Sequence, residues 1–408
     1  MDTPKRPNIR IPEGFDLYFN TLTGNWALRP VKGYSTTYYK KDMYIPKKKV
    51  EEKAETPNVS KEEETAVEEK NNKNGNLHTA KREKNDEFYT RISDIVDELK
   101  HYEEHFKGKV VYCPCDKLFN EGQSNFGRYF INKFHKLGLK KLICTQYNPN
   151  GVGVVKECDF EKCGVKWEYN GEKADNEVVD ESDIDTYFLK GNGSFDSDEC
   201  KEIMRNCDIV VTNPPFSLFR QFVEQIMTMG KKFLIIGNTN AISYKEIFPY
   251  LKDNKMWIGM TNFNSGMYFV VPNDYEYADT YKFEREIDGE KVIRVSTACW
   301  FTNLEHNKRK EFIGLVKKYN PTDYPKYDNY DAIEVGCYKD IPKDYDGVMG
   351  VPITYLGRHN PKQFEIIKFR KGDDEKDLSV NGKCPYARIL IRKVKELPTE
   401  QEVKNVTE

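Results

Sequence analysis

Ile209-Val210-Val211-Thr212-Asn213-Pro214-Pro215-Phe216-Ser217-Leu218-Phe219 is a short β-branched run that halts at two prolines and passes into a helical pattern. Branched apolar residues in a run this short suit a strand buried on both faces. Pro214 and Pro215 offer no N–H to a ladder, so the strand ends at Thr212. Beyond them Phe219, Phe222, Val223, Ile226 and Met227 recur at helical spacing, which predicts a helix from Ser217 to Met229. A strand-loop-helix unit of this kind belongs to an open α/β sheet, whose ligand crevice lies at the carboxyl ends of parallel strands. Asn213 therefore stands at a crevice rim.

Working outward, the same alternation repeats. Lys109-Val110-Val111-Tyr112-Cys113-Pro114-Cys115-Asp116 reads as a strand and a turn, with a helix near Asn125 to Leu137. Lys141–Thr145 and Thr186–Leu189 read as further strands, the second running into Gly191-Asn192-Gly193-Ser194-Phe195-Asp196. Residues 152–172 read as an inserted hairpin. Downstream, Lys232–Gly237, Met256–Met260 and Val292–Asn303 add strands, completing a doubly wound sheet.

The rim residues suggest a chemistry. An exocyclic amine of a nucleobase is a poor nucleophile because its lone pair is delocalised into the ring. Two acceptors, the Asn213 side-chain oxygen and the Pro214 carbonyl, can each take one N–H and leave the lone pair aimed at a methyl sulfonium. Pro215 stiffens the turn, and Phe216 offers a face on which a base can stack, worth roughly 1–3 kcal/mol per base. A base inside a duplex must be flipped out to reach such a pocket. No metal is required. The competing explanation is an ordinary turn in which Asn caps the next helix and proline begins it.

A second element, Lys84-Asn85-Asp86-Glu87-Phe88-Tyr89-Thr90, precedes an amphipathic helix carrying Ile92, Ile95, Val96 and Leu99. With the DEFYT segment, the CPCD turn and TNPPF in this order, the chain resembles the EcoRI-type adenine-specific DNA methyltransferase family over roughly residues 80 to 390. The resemblance implies a Rossmann-like methyltransferase sheet and the cofactor S-adenosyl-L-methionine. It points to Phe88, Tyr89 and Thr90 for the methionine part, to the Cys113-Pro114 turn with Asp116 for the ammonium, and to Asn192, Gly193 and Phe195 for the adenine end, with Asn213 bordering both substrates. Most methyltransferases carry a glycine-rich turn where this chain has Cys-Pro-Cys. Trp300 or Phe301 is a candidate to clamp the other face of a flipped adenine, with Tyr268 and Phe269 as competitors. No acid that would bind the ribose is evident after Thr145, and Tyr147 is a weak candidate near that end.

Composition bounds the rest. The chain has 408 residues and a formal net charge of -2, so it is not a uniformly basic nucleic-acid binder and any DNA-binding face is local. Arg358, Lys362, Lys368, Arg370, Lys371, Lys383, Arg388, Arg392, Lys393 and Lys395 cluster toward the C-terminus as candidate phosphate contacts. Ten cysteines show no paired CxxC array, which speaks against a zinc site and suits a reducing cytosol. No apolar segment spans a bilayer and no secretory leader is expected.

The domain reading is a small β-rich module over residues 1–46, with strands around Leu17-Tyr18-Phe19 and Trp26-Ala27-Leu28, a charged linker over 47–80, a methyltransferase domain over 81–303, and a target-recognition region over 304–408. That last region contains Gly350-Val351-Pro352-Ile353-Thr354-Tyr355 and Asn360-Pro361-Lys362-Gln363-Phe364-Glu365-Ile366, similar to stretches of the same family. The functional expectation is site-specific N6-methylation of adenine in double-stranded DNA by a monomer in the cytoplasm of a bacterial or phage-infected cell. No nuclease motif is evident, so a cognate restriction endonuclease would be a separate chain. RNA or protein-glutamine methylation, and a silent DNA- or cofactor-binding regulator, are the alternatives.

Overall fold

The computed structural model describes residues 15–20, 25–30, 89–118, 124–148, 163–173 and 178–394. The chain divides into two compact units, Met1–Asp86 and Glu87–Glu408. In the first, β1 (Phe15–Asn20) pairs antiparallel with β2 (Asn25–Pro30), Leu17 opposite Leu28. The linker reading over 47–80, Phe88 and Lys395 lie outside the described residues.

The second unit opens with β3 (Tyr89–Thr90) and α1 (Ile92–Leu99). Its main sheet is built from β4 (Val110–Cys113), β5 (Lys141–Gln146), β6 (Val165–Tyr169), β7 (Asp185–Phe188), β8 (Ile209–Thr212), β9 (Lys232–Asn238), β10 (Trp257–Ile258) and β14 (Ala298–Thr302). They stand in the order β7-β6-β5-β4-β8-β9-β14-β10. β5, β4, β8 and β9 are parallel, whereas β14 runs antiparallel to both β9 and β10. The order reverses at β4, whose two neighbours are β5 and β8, so the crevice of an open α/β sheet falls at the ends of Cys113 and Thr212. Helices among the connections are α2 (Asn125–Asn132), α3 (Asp198–Asn206) and α4 (Phe219–Thr228). α4 buries Phe219, Phe222, Val223 and Ile226 against the sheet, as the spacing predicts. A short α5 (Phe248–Lys252) follows β9.

Several boundaries differ from the sequence reading. The expected hairpin over 152–172 is, in its described part, the strand β6 inserted into the sheet antiparallel to both β5 and β7. The single strand expected over Val292–Asn303 is two strands. β13 (Glu290–Val295) joins β11 (Met267–Val270), β12 (Glu286–Ile287) and β3 in a separate sheet of order β12-β13-β11-β3, while β14 enters the main one. The chain turns between them at Ser296-Thr297, where the Thr297 carbonyl accepts the Thr239 N–H at 2.7 Å and its hydroxyl oxygen accepts from Asn238 Nδ2 at 2.8 Å. Neither contact is local in sequence, so periodicity carried no sign of it.

A third sheet, β15 (Ala332–Glu334), β16 (Val348–Pro352), β18 (Arg388–Lys393) and β17 (Phe364–Phe369) in that order, forms the C-terminal region. Ile333, Met349, Val351, Tyr355 and Ile391 share one continuous hydrophobic core with Phe222, Phe233 and Phe301. Residues beyond 304 are thus packed into the same core as the main sheet.

Candidate active site

Three sequence elements meet at the carboxyl end of β4. Asn125, the first residue of α2, donates from Nδ2 to the Thr90 carbonyl at 2.8 Å, tying the DEFYT segment to that helix. The neighbouring Ser124 donates its hydroxyl proton to Asp116 Oδ1, and the Asp116 N–H is held by the Thr145 carbonyl at 2.8 Å. From the other side Thr212 Oγ1 donates to the Pro114 carbonyl at 2.7 Å, joining the residue before Asn213 to the Cys-Pro-Cys turn. Cys115 takes φ +60, a conformation glycine usually supplies, which is how this turn does without one.

Two polar atoms in this cluster are buried with no hydrogen-bond partner among the described residues: Thr90 Oγ1 and Asp116 Oδ2. Asp116 is 5 % exposed, and its burial pushes the carboxyl up to about 7 although Ser124 and Thr212 pull it down. A buried carboxylate oxygen without a donor is costly, and a cation bound there removes the cost. The Asp116 oxygen therefore fits the ammonium of an amino-acid group, and the unpartnered Thr90 hydroxyl belongs to the segment that Asn125 ties to the same helix end.

The loop after β7 closes the crevice over β5. Gly193 has φ +77, and a Cβ there would lie 2.1 Å from the Gln146 carbonyl oxygen, so only glycine fits. Asn192 accepts the Asn148 N–H on its carbonyl at 2.8 Å and the Ser194 N–H on its side chain at 3.1 Å. Phe195, in contrast, is committed to the core, its ring 5.0 Å from that of Phe222 at 88°. Tyr147 is exposed.

Asn213 and Phe216 are half-buried at the rim. Pro215 precedes the short 3-10 turn Phe216–Leu218, and Leu218 precedes α4, so Asn213 is not the helix cap. Phe216 meets Phe269 edge-on, centroids 6.4 Å apart at 80°. Phe269 pairs with Thr90 across β11 and β3, which sets the second sheet beside the rim. Glu98, buried on α1, accepts from the Met260 and Thr261 N–H groups at 2.7 Å each, from the Thr261 hydroxyl at 2.6 Å and from the Tyr102 hydroxyl at 2.7 Å. It anchors α1 to the turn that leads into β11.

Trp300 and Phe301 are 0 % exposed, Phe301 against Phe219 and Trp300 edge-on to Phe126. The base-clamp expectation fails for both, because each ring is walled in by the sheet it helps to build. Of their competitors, Phe269 is fully buried, and Tyr268, half-buried on the opposite face of β11, donates its hydroxyl to Glu284. Many of the C-terminal cations are also occupied. Arg358 pairs with Glu311, Arg370 with Asp377, Arg388 with Glu334 and Arg392 with Glu365, while buried Lys393 donates to the Lys343 carbonyl at 2.6 Å. Asn360 and Gln363 are buried too, bracing residues 310–313. Among the described residues no cluster of three or more His, Cys, Asp or Glu could hold a metal, and no helix is long and apolar enough to cross a membrane.

Sequence reasoning missed Ser124, Asn125 and the Thr212 hydroxyl. Ser124 carried a signal only as a helix N-cap, its oxygen accepting the Phe126 N–H at 3.2 Å.

An open α/β sheet with a polar crevice at the strand-order reversal defines the class of α/β proteins that bind their ligands at the carboxyl ends of parallel strands. Residues 76–395 match the family described as adenine-specific methyltransferase EcoRI, and the chain belongs to that family. It is 49 % identical over 320 residues to the Type II methyltransferase M.EcoRI of Escherichia coli, covering 78 % of this chain and 95 % of that one. It is 42 % identical over 340 residues to the Type II methyltransferase M.MpnI of Mycoplasma pneumoniae, covering 78 % and 97 %. A third relative, M.MgeORF184P of Mycoplasma genitalium, is 37 % identical over 341 residues, covering 78 % and 98 %. No solved structure matches.

Proposed function

We propose that this chain is a site-specific DNA adenine N6-methyltransferase using S-adenosyl-L-methionine. The observation that carries the reading is the convergence of Thr90, Asp116 and the Thr212-Asn213 corner on one end of β4, through the Asn125, Ser124 and Thr212 hydrogen bonds. When bound, the cofactor supplies an electrophilic methyl group. Asp116 Oδ2 takes the ammonium, with the Thr90 hydroxyl beside it, and the loop through Asn192 and Gly193 borders the adenine end. Asn213 Oδ1 and the Pro214 carbonyl accept the two N–H groups of a flipped adenine, which directs the nitrogen lone pair toward the methyl group. Pro215 fixes the turn and Phe216 stacks on the base, its ring angle set by the edge of Phe269. Transfer is direct, without a covalent enzyme intermediate.

The relatives are named as Type II methyltransferases, which supports action on DNA. We further take the chain to act as a monomer on duplex DNA in a bacterial or phage-infected cytoplasm, any cognate endonuclease being a separate chain. We assign target recognition to residues 304–408, through cations left outside the ion pairs described above, such as Lys362 and Lys383. The test is methyl transfer from labelled S-adenosyl-L-methionine to unmethylated duplex DNA, with nucleoside analysis and mapping of modified positions. N6-methyladenine at one short sequence is expected. In Asn213→Ala, turnover should fall by about 10²–10³ with cofactor binding retained. A folded variant that turns over normally would sink the mechanism.

A further inference from the structure

Ser124 does more than a helix cap requires. Its oxygen accepts the Phe126 N–H, and its proton goes to Asp116 Oδ1, on the far side of the turn. The carboxyl is thereby fixed by one oxygen while the other, Oδ2, is buried without a donor among the described residues. Asn125, next along the chain, performs the matching task for Thr90 by holding its carbonyl, and Thr90 Oγ1 is likewise buried and unpartnered. The two residues at the start of α2 thus hold, from one helix end, a carboxylate with an unpartnered oxygen and a residue with an unpartnered hydroxyl. An acceptor and a hydroxyl held in this way match the ammonium end of an amino acid.

We infer that Ser124 is a positioning residue for the amino-acid end of the cofactor, turning Asp116 so that Oδ2 faces the ammonium while Asn125 holds Thr90 beside it. The inference rests on the assignment of Asp116 to the ammonium made above. Without the Ser124 proton, Asp116 loses a donor that favours its charged form and gains freedom to rotate. The other groups that face it are the Thr212 hydroxyl and the thiols of Cys113 and Cys115, both kept protonated by burial. Removal of the serine proton therefore moves ionisation of Asp116 to higher pH.

Calorimetric titration of the full chain and its variants tests this, with S-adenosyl-L-methionine and with 5′-methylthioadenosine, which lacks the amino-acid end. Ser124→Ala should weaken S-adenosyl-L-methionine about tenfold, the scale of one hydrogen bond to a charged group. It should leave 5′-methylthioadenosine unchanged and raise the pH below which cofactor affinity falls; Ser124→Thr should restore both. The inference is overturned if Ser124→Ala binds the cofactor within about twofold of the parent while Asp116→Asn does not. Equal losses of both ligands would also overturn it, since that is the mark of a residue that only holds the fold. If Asp116→Asn binds normally the ammonium assignment fails with it, and a parent chain that binds no cofactor removes the enzymatic reading altogether.

Discussion

Asp116→Asn should make the ligand-free protein more stable and the enzyme useless. The substitution keeps shape and removes charge from a side chain that is 5 % exposed. Burial lifts this carboxyl from 3.8 to about 7. A folded-state value above the unfolded one means the native state holds the proton more tightly. Stability from this group is therefore complete below pH 3.8, falls as pH rises toward about 7, and stays lost above it. Roughly three units at about 1.4 kcal/mol each give an upper bound near 4 kcal/mol at pH 8. An asparagine amide without a partner takes back about 1–3 kcal/mol of that, leaving a net gain of about 1–3 kcal/mol. Urea unfolding of both proteins without cofactor, at pH 8 and pH 5, measures it. The variant's advantage should be present at pH 8 and shrink at pH 5, while titration with S-adenosyl-L-methionine at pH 8 shows affinity reduced at least tenfold. A variant less stable than the parent at pH 8, or one with unaltered cofactor affinity, would refute the reasoning.

Phe216→Ala should weaken binding to DNA carrying a fluorescent base at the target position and lower turnover, whereas Phe216→Trp should keep much of both; equal losses would argue against stacking. Gly193→Ala places a methyl 2.1 Å from the Gln146 carbonyl at φ +77, so it should cost about 2 kcal/mol or more in denaturant unfolding and loosen the cofactor. Burial pushes His359 down to about 3, its ring lying between the Tyr355 hydroxyl at 2.9 Å and Asn254 Oδ1 at 3.2 Å. A depressed histidine contributes stability above pH 6.5 that is lost as pH falls toward 3, so His359→Gln should flatten the acid side of the stability profile. An unchanged slope there would count against a neutral buried ring.

The strands either side of the crevice were legible because their signal is local. Val110–Cys113, Lys141–Gln146, Ile209–Thr212 and Lys232–Asn238 are short branched runs closed by turn residues, and a strand buried on both faces can hardly be written otherwise. The Asn-Pro-Pro-Phe corner was equally plain, since proline states its own backbone limits. Aromatics were not. Trp300 and Phe301 were candidates for a clamp and are core, because an aromatic residue in a strand looks the same from either side of the sheet.

By itself, then, the sequence determined the alternating α/β architecture, the place where β8 ends and the family to which the chain belongs, all of which rest on residues near one another in the chain. The tertiary structure alone decided that β6 enters the sheet, that residues 290–302 divide between two sheets, and that Arg388 and Arg392 are occupied by Glu334 and Glu365. It alone brought Ser124 to Asp116, Asn125 to Thr90 and Thr212 to Pro114. The last pair lies 98 residues apart in the chain. A hydrogen bond across such a separation leaves no local periodicity, and only the packing of strands at the order reversal makes it possible.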